Sequence, residues 1–355
     1  MAARPYIGRV GRDWASILLG GLALILLACG VLSWNSVREG IQEHAQERLN
    51  LEADRMADAV QSAVNLYAQP LYSLDGFLEV VPNARRADFD AFIGGMDLKK
   101  NPAQVFSLGY VERVSPQRVS SFALRMRADG YKDFSPAKDV SNDDRYLTRH
   151  IYMREGEKLP ANMAFNYAKE GTRFAAIMAA RDTGELAMSE PLTLRTGTGD
   201  RRGFVMFLPV YTPRAPRGSL DERRVSFRGV VGVGFKADQF FPNALREVGI
   251  PSTMRLYVHD PNESKLGAGE LYLHDAAVDV KRRLSAVREV RVADRTWKLE
   301  FAVPQDYGMS FFERAAPRVF LIRNILFALT LPAVLYLLIF LCHSKREAAK
   351  NAERS

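Results

Sequence analysis

The chain has 355 residues, 47% hydrophobic and 25% charged, which is long enough for two ordinary domains plus apolar segments and excludes a disordered polymer. Its net charge of +8 does not point to nucleic acid. Arg4, Arg9 and Arg12 against Asp13 at one end, and Lys345, Arg346, Lys350 and Arg354 against Glu347 and Glu353 at the other, carry half of it, and no stripe of Lys and Arg interleaved with aromatics lies between.

Two apolar spans follow from the pattern. Residues 15–34 (ASILLGGLALILLACGVLSW) carry no charge, match the ~20 residues that cross a hydrocarbon core, and have Trp14 and Trp34 as interfacial anchors. Residues 324–342 form the second, with Arg318 and Arg323 before it, Lys345 and Arg346 after it, and Pro332 expected to kink it. A cleaved signal peptide is the alternative for the first span, but no small-x-small site follows its core; Leu26-Leu27-Ala28-Cys29 is a poor lipoprotein processing site. The basic ends place residues 1–14 and 343–355 in the cytoplasm and residues 35–322 outside, across a plasma or bacterial inner membrane. Cys29 and Cys342 both fall inside the spans, so the outer domain has no thiol.

In chain order, Ile41, Ala45, Leu49, Met56, Val60, Val64 and Tyr67 recur at helical spacing, which predicts a long amphipathic helix over 37–69, ended or bent at Gln69-Pro70. It packs against its own domain or against a second copy. A second helix is expected over 87–96, a turn at Asn101-Pro102, and a strand over 105–114. Ser115 and Pro116 start a helix that Gly130 closes, and a strand spans 145–153. Thr172 caps a helix with Phe174, Ala175, Ile177 and Met178 on its buried face, stopped by Gly184. Strands over 186–194 and 204–211 follow, joined by a Gly-rich turn that lacks the phosphate-loop pattern. A polar loop (212–224) leads to a strand over 228–235 whose glycines at 229, 232 and 234 suit close approach of another segment or a ligand. Asp238 caps a helix to Val248, and strands over 253–259, 271–274, 287–292 and 296–303 complete the domain. The fold class is α+β: a long N-terminal helix, a membrane-distal unit (about 84–235) and a membrane-proximal unit (about 236–310), each with an antiparallel sheet, between two transmembrane helices.

The five histidines are scattered without metal-ligand spacing, and no nucleophile elbow or other catalytic motif is present, so neither metal, cofactor nor enzymatic site is expected in these residues. Arg181-Asp182 reads as an ion pair on a helix flank.

The succession Tyr146, Asn166, A-R-D-T-G (180–184), M-S-E-P (188–191), F-L-P-V-Y (207–211) and G-V-V-G-V-G-F (229–235) resembles the CHASE domain, the extracytoplasmic sensor of cytokinin receptors and of many bacterial histidine kinases and diguanylate cyclases. The resemblance covers roughly residues 37–320. It implies two PAS-like units after the long helix, a small-molecule ligand in the distal one, and homodimers through the helix. Asn166 stands where cytokinin-binding members carry an Asp; it keeps a donor and an acceptor but no charge. Met188 matches a pocket position, and Phe207 replaces a small polar residue, which shrinks the cavity. The implied contacts are Tyr146, Asn166, Met188, Leu194, Met206, Phe207 and Gly232, for an adenine-type cytokinin or another small apolar or planar ligand. Each also has a plain structural reading, the apolar ones as core and Asn166 as a loop cap. The tail SKREAAKNAERS reads as the start of a signalling helix, so the expected function is a receptor sensor region feeding a kinase or cyclase output. The alternative is an envelope protein that binds a partner or ligand without output activity.

Overall fold

The computed structural model describes residues 7–98, 105–136, 142–154, 163–196, 199–263, 269–279 and 283–352. It divides into two compact units, one within residues 1–49 and 305–355 and the other over residues 50–304.

The first unit is helical and holds the start of α1 (Ile7–Val80) and α7 (Phe311–Ala352). Each contains a stretch long and apolar enough to cross a membrane, with mean hydropathy of 2.4 and 2.7. Leu18, Leu24, Ile25, Leu329 and Leu337 are exposed, as a lipid-facing surface requires. The helices come close at Gly30, where an added Cβ would stand 2.9 Å from that of Asn324. Arg48 pairs with Glu313 at 2.9 Å and also donates to the Gly308 carbonyl, which ties α1 to the turn before α7.

The second unit is α+β. Ala53, Met56, Val60, Val64, Tyr67, Leu71, Leu74 and Leu78 of α1 are buried, in steps of three or four residues. The helix does not stop at Gln69-Pro70; Pro70 lies inside it. A mid-helix proline costs about 3 kcal/mol. Burying three further leucines contributes about 1.5–3 kcal/mol each, so the apolar stripe carries the helix past the proline.

Six strands form one antiparallel sheet: β1 (Ser107–Val114), β2 (Arg145–Met153), β3 (Ala187–Met188), β4 (Leu192–Thr196), β5 (Gly199–Tyr211) and β6 (Phe227–Lys236). Their order is β2-β1-β6-β5-β3, with β4 also on β5. The strand expected over 186–194 is split, because Pro191 has no N–H to give a ladder. Thr196 pairs with Gly199, so β4 and β5 form the expected hairpin; residues 197–198 and the expected Asn101-Pro102 turn lie outside the described residues. A second antiparallel sheet has the order β8-β7-β10-β9, from β7 (Arg255–His259), β8 (Glu270–His274), β9 (Arg283–Val292) and β10 (Arg295–Pro304).

α1, α2 (Arg86–Gly95), α3 (Val119–Ala128) and α6 (Ala237–Ala244) pack on one face of the larger sheet; α4 (Gly171–Thr183) packs on the other, and α5 (Leu220–Ser226) lies against α4. Trp297 of β10 meets Phe204 of β5 at 4.9 Å and Phe241 of α6 at 5.5 Å, an aromatic block that joins the two sheets. A 3₁₀ turn, Pro116–Arg118, precedes α3, and the Ser115 side chain makes no cap bond. α5 occupies part of the expected polar loop, and α6 ends at Ala244 rather than Val248, with Asp238 in its first turn and not at its cap.

Candidate ligand-binding site

Strand alternation divides the expected contacts. On β5, Phe207 lies opposite Gly232 of β6 and Ala187 of β3, while Met206 lies opposite Val233 and Met188. Directly opposed residues share a face. Phe207 and Ala187 belong to the cluster under α4, which also holds Tyr146, Ala176, Ile177, Ala180, Tyr211 and Phe227, with Tyr167, Phe174 and Met178 partly buried at its margin. Met188 and Met206 therefore point to the face that carries α1, where both are fully buried, and not to the α4 face. Leu194 packs with Phe106 and Leu192 in a separate small cluster, joined to the α4 face through Val205.

Gly232 and Phe207 meet on the α4 face. A Cβ at Gly232 would stand 2.9 Å from the Phe207 ring, so the ring lies in the space that glycine leaves. Of the other two glycines in the strand, Gly229 closely approaches the Val111 carbonyl, with φ of 151°, and Gly234 approaches the Ser107 hydroxyl. Their neighbours come from the chain itself. Tyr146 meets Phe174 edge-on at 5.2 Å, which closes the layer between β2 and α4.

Asn166 sits at the edge of this layer, bridged to Leu147 of β2. Its Oδ1 accepts from the backbone N–H of Tyr146 at 3.0 Å and of Ala168 at 3.2 Å, and it starts the 3₁₀ turn Tyr167–Lys169. Both partners are donors, which fixes the amide orientation and commits the oxygen. What Asn166 can offer a ligand is its amide N–H pair, where the sequence suggested a donor and an acceptor.

α4 is held at both ends. Glu170, not Thr172, caps its N-terminus by accepting from the backbone of Thr172 and Arg173, and Gly184 closes it in the left-handed conformation. Asp182 accepts from Arg224 at 2.7 and 3.0 Å and from Arg181 at 2.7 Å; those two guanidiniums, Arg224 first, hold its carboxyl well below the usual range. The Tyr211 hydroxyl donates to the Arg181 carbonyl at 2.8 Å, and burial pushes its pKa up to about 12. Arg223 donates to the Asp182 carbonyl at 2.8 Å. The residue pattern hid this clamp in a polar loop, although Ser219 and Glu222 form a capping box of the S-x-x-E type that announces α5.

The CHASE domain family model matches residues 82–271, just over half of the chain. The chain belongs to the CHASE domain family. CHASE domains are sensor domains, and the match spans the whole larger sheet, α4, and the first part of the smaller sheet. Among solved structures, the periplasmic sensory domain of the Campylobacter jejuni chemoreceptor Tlp1 is 11% identical, with a TM-score of 0.46, over 76% of this chain and 99% of that one. The ligand-binding domain of the Pseudomonas aeruginosa PAO1 chemoreceptor PctC, solved with GABA, is 14% identical, with a TM-score of 0.43, over 73% and 99%. That of Pseudomonas fluorescens CtaA, solved with L-alanine, is 12% identical, with a TM-score of 0.43, over 75% and 99%. No curated protein matches the chain by sequence.

Proposed function

We infer that this CHASE domain is the sensing part of a membrane receptor whose small ligand binds on the α4 face of the larger sheet. Two apolar helices anchor it, residues 35–322 lie outside the cytoplasm, and the signal goes to an output module of the histidine kinase or diguanylate cyclase kind. The observation that supports the site best is Phe207 lying over Gly232: an aromatic side chain occupies a recess the backbone leaves open, and a change of its rotamer makes room for a planar ligand. Tyr146 forms the wall, Leu194 the rim, and the Asn166 amide donates to a ligand acceptor. Met188 and Met206 support the sheet from behind. Leu51, Leu66 and Tyr72, exposed apolar residues on α1, favour a dimer through that helix.

Asn166→Asp tests the reading, because the carboxylate still accepts both backbone N–H bonds while the donors are lost. In a thermal-shift screen of the full chain in detergent against purines and small organic acids, the expected result is a ligand that stabilises the wild type, with the shift lost in Asn166→Asp and the unliganded melting temperature kept. An adenine derivative that binds only the Asp variant would show that charge at this position selects the ligand. Equal stabilisation of both proteins contradicts Asn166 as a contact.

A further inference from the structure

The turn between β9 and β10 makes contacts that the ligand reading above does not use. Arg295 pairs with Val292, so Ala293 and Asp294 alone form the hairpin loop. Ala293 has a φ of 56°. A two-residue hairpin needs a positive φ at its first loop position and normally places glycine there. An alanine in the left-handed region is strained, and such strain persists only where the surroundings fix it.

Here the surroundings are the larger sheet. β3 stands at its edge, paired with β5. Ser189, the next residue, donates its N–H to the Val205 carbonyl of β5 at 2.9 Å. Successive N–H groups of an extended chain alternate in direction, so that of Met188 points away from β5. Asp294 Oδ1 accepts it at 2.8 Å, and a side chain of the smaller sheet thus fills the place of a further strand. Arg295 repeats the link with charge. Its guanidinium pairs with Asp260, directly after β7, donates to the Asn262 carbonyl at 2.7 Å, and reaches Glu190, two residues beyond β3, at 3.7 Å. Asp260 is 1% exposed, and a carboxylate so far out of water depends on its partner. The run M-S-E-P (188–191) is therefore held on both sides: Ser189 Oγ accepts from the Val205 N–H of β5 at 3.0 Å, while Met188 and Glu190 meet the smaller sheet.

We propose that the turn over residues 293–295 is a conformational latch, through which a displacement of β3 is passed to β9 and β10. Coupling of this kind is carried by a contiguous set of hydrogen bonds and ion pairs, and here Asp294 and Arg295 supply it. Ala187 of β3 belongs to the cluster under α4, so the latch starts at the wall of the α4 face. It ends on β10, which stops at Pro304 shortly before α7 begins at Phe311. Asp294 is a positioning residue that sets β3 and touches no ligand. The proposal rests on the ligand reading above only for what displaces β3, and not for the latch itself.

Amide hydrogen exchange of the full chain in detergent tests this without any ligand, so its outcome is separate from that of the thermal-shift screen. Ser189→Ala loosens β3, because the Val205 N–H loses its Ser189 acceptor, and faster exchange over residues 187–189 reports the loosening. Exchange over residues 295–304 should then rise at least about threefold in the chain that has Asp294, and stay unchanged when Ser189→Ala is made in the Asp294→Ala background. Asp294→Asn keeps the acceptor and should keep the response. A merely structural Asp294 would speed exchange when removed but leave the response to Ser189→Ala intact; that result overturns the proposal, and so does a 295–304 segment that never responds to a loosened β3. Should either variant not fold, or β3 not loosen, Ala187→Gly in place of Ser189→Ala and Asp294→Ser, one atom shorter, in place of Asp294→Ala carry the same comparison with the same two outcomes.

Discussion

At the scale of single residues, Gly232 and Phe207 form a matched pair, and replacing one exposes the other. Gly232→Ala places a methyl 2.9 Å from the ring and should destabilise by about 1–3 kcal/mol, measured by denaturant unfolding. Adding Phe207→Leu should recover part of that loss, a non-additivity that two unrelated sites would not show. His150 gives a pH prediction. Its folded pKa of about 4 lies below the ordinary value of 6.5, so between the two the unfolded chain binds the proton and the native chain does not. Stability therefore rises with pH across that window, and its contribution amounts to about 3 kcal/mol lost between pH 6.5 and 4. His150→Gln, which keeps a donor for the Ala84 carbonyl, should flatten the profile over that range; an unchanged slope would exclude His150 as its source. The structure brings Tyr146 and Phe207, two of the expected contacts, into one cluster, and sets Gly232 against the Phe207 ring. Met188 and Met206 were not separable from them by composition, because helices cover both faces of the sheet and every residue on β5 from Phe204 to Tyr211 is apolar. Only register assigns the faces.

At the scale of elements, α4 is a lid over an aromatic layer, held by a polar clamp at its C-terminal end. Asp182→Asn keeps the shape and removes the charge that receives Arg224 and Arg181, so α4 and α5 should loosen by about 1–2 kcal/mol. Amide hydrogen exchange over residues 171–183 and 220–226 reads this directly: faster exchange in both segments is expected, and unchanged protection would mean the apolar layer alone holds them. The Asp182 contribution is present above the ordinary carboxylate pKa and is lost as pH falls through the lowered folded value. Helix and strand positions were largely legible, since β2 and β6 follow from β-branched and aromatic runs and α4 from its apolar spacing and Gly184. The caps were less so. Glu170 takes the role assigned to Thr172, and Asn166 proved to be a cap, because side-chain oxygens one or two residues apart compete for the same orphan N–H groups and the chain path decides between them.

At the scale of the whole molecule, the two apolar stretches, the long amphipathic helix and the two sheets were all readable from hydropathy and period. The extension of α1 through Pro70 was not, because a local breaker is outweighed only by burial against a sheet formed far along the chain. The account rests on the sensor lying outside the membrane with both basic ends inside, and Cys29 and Cys342, the only cysteines, lie within the apolar stretches. A single cysteine introduced at the exposed Glu185 is therefore a clean reporter in the chain with both native cysteines changed to Ser. Labelling of intact cells or spheroplasts with a membrane-impermeant maleimide should modify Glu185→Cys fully, and a cysteine at Ser344 only after the membrane is permeabilised. Labelling of Ser344→Cys in intact cells, or protection of Glu185→Cys until lysis, would contradict the receptor reading.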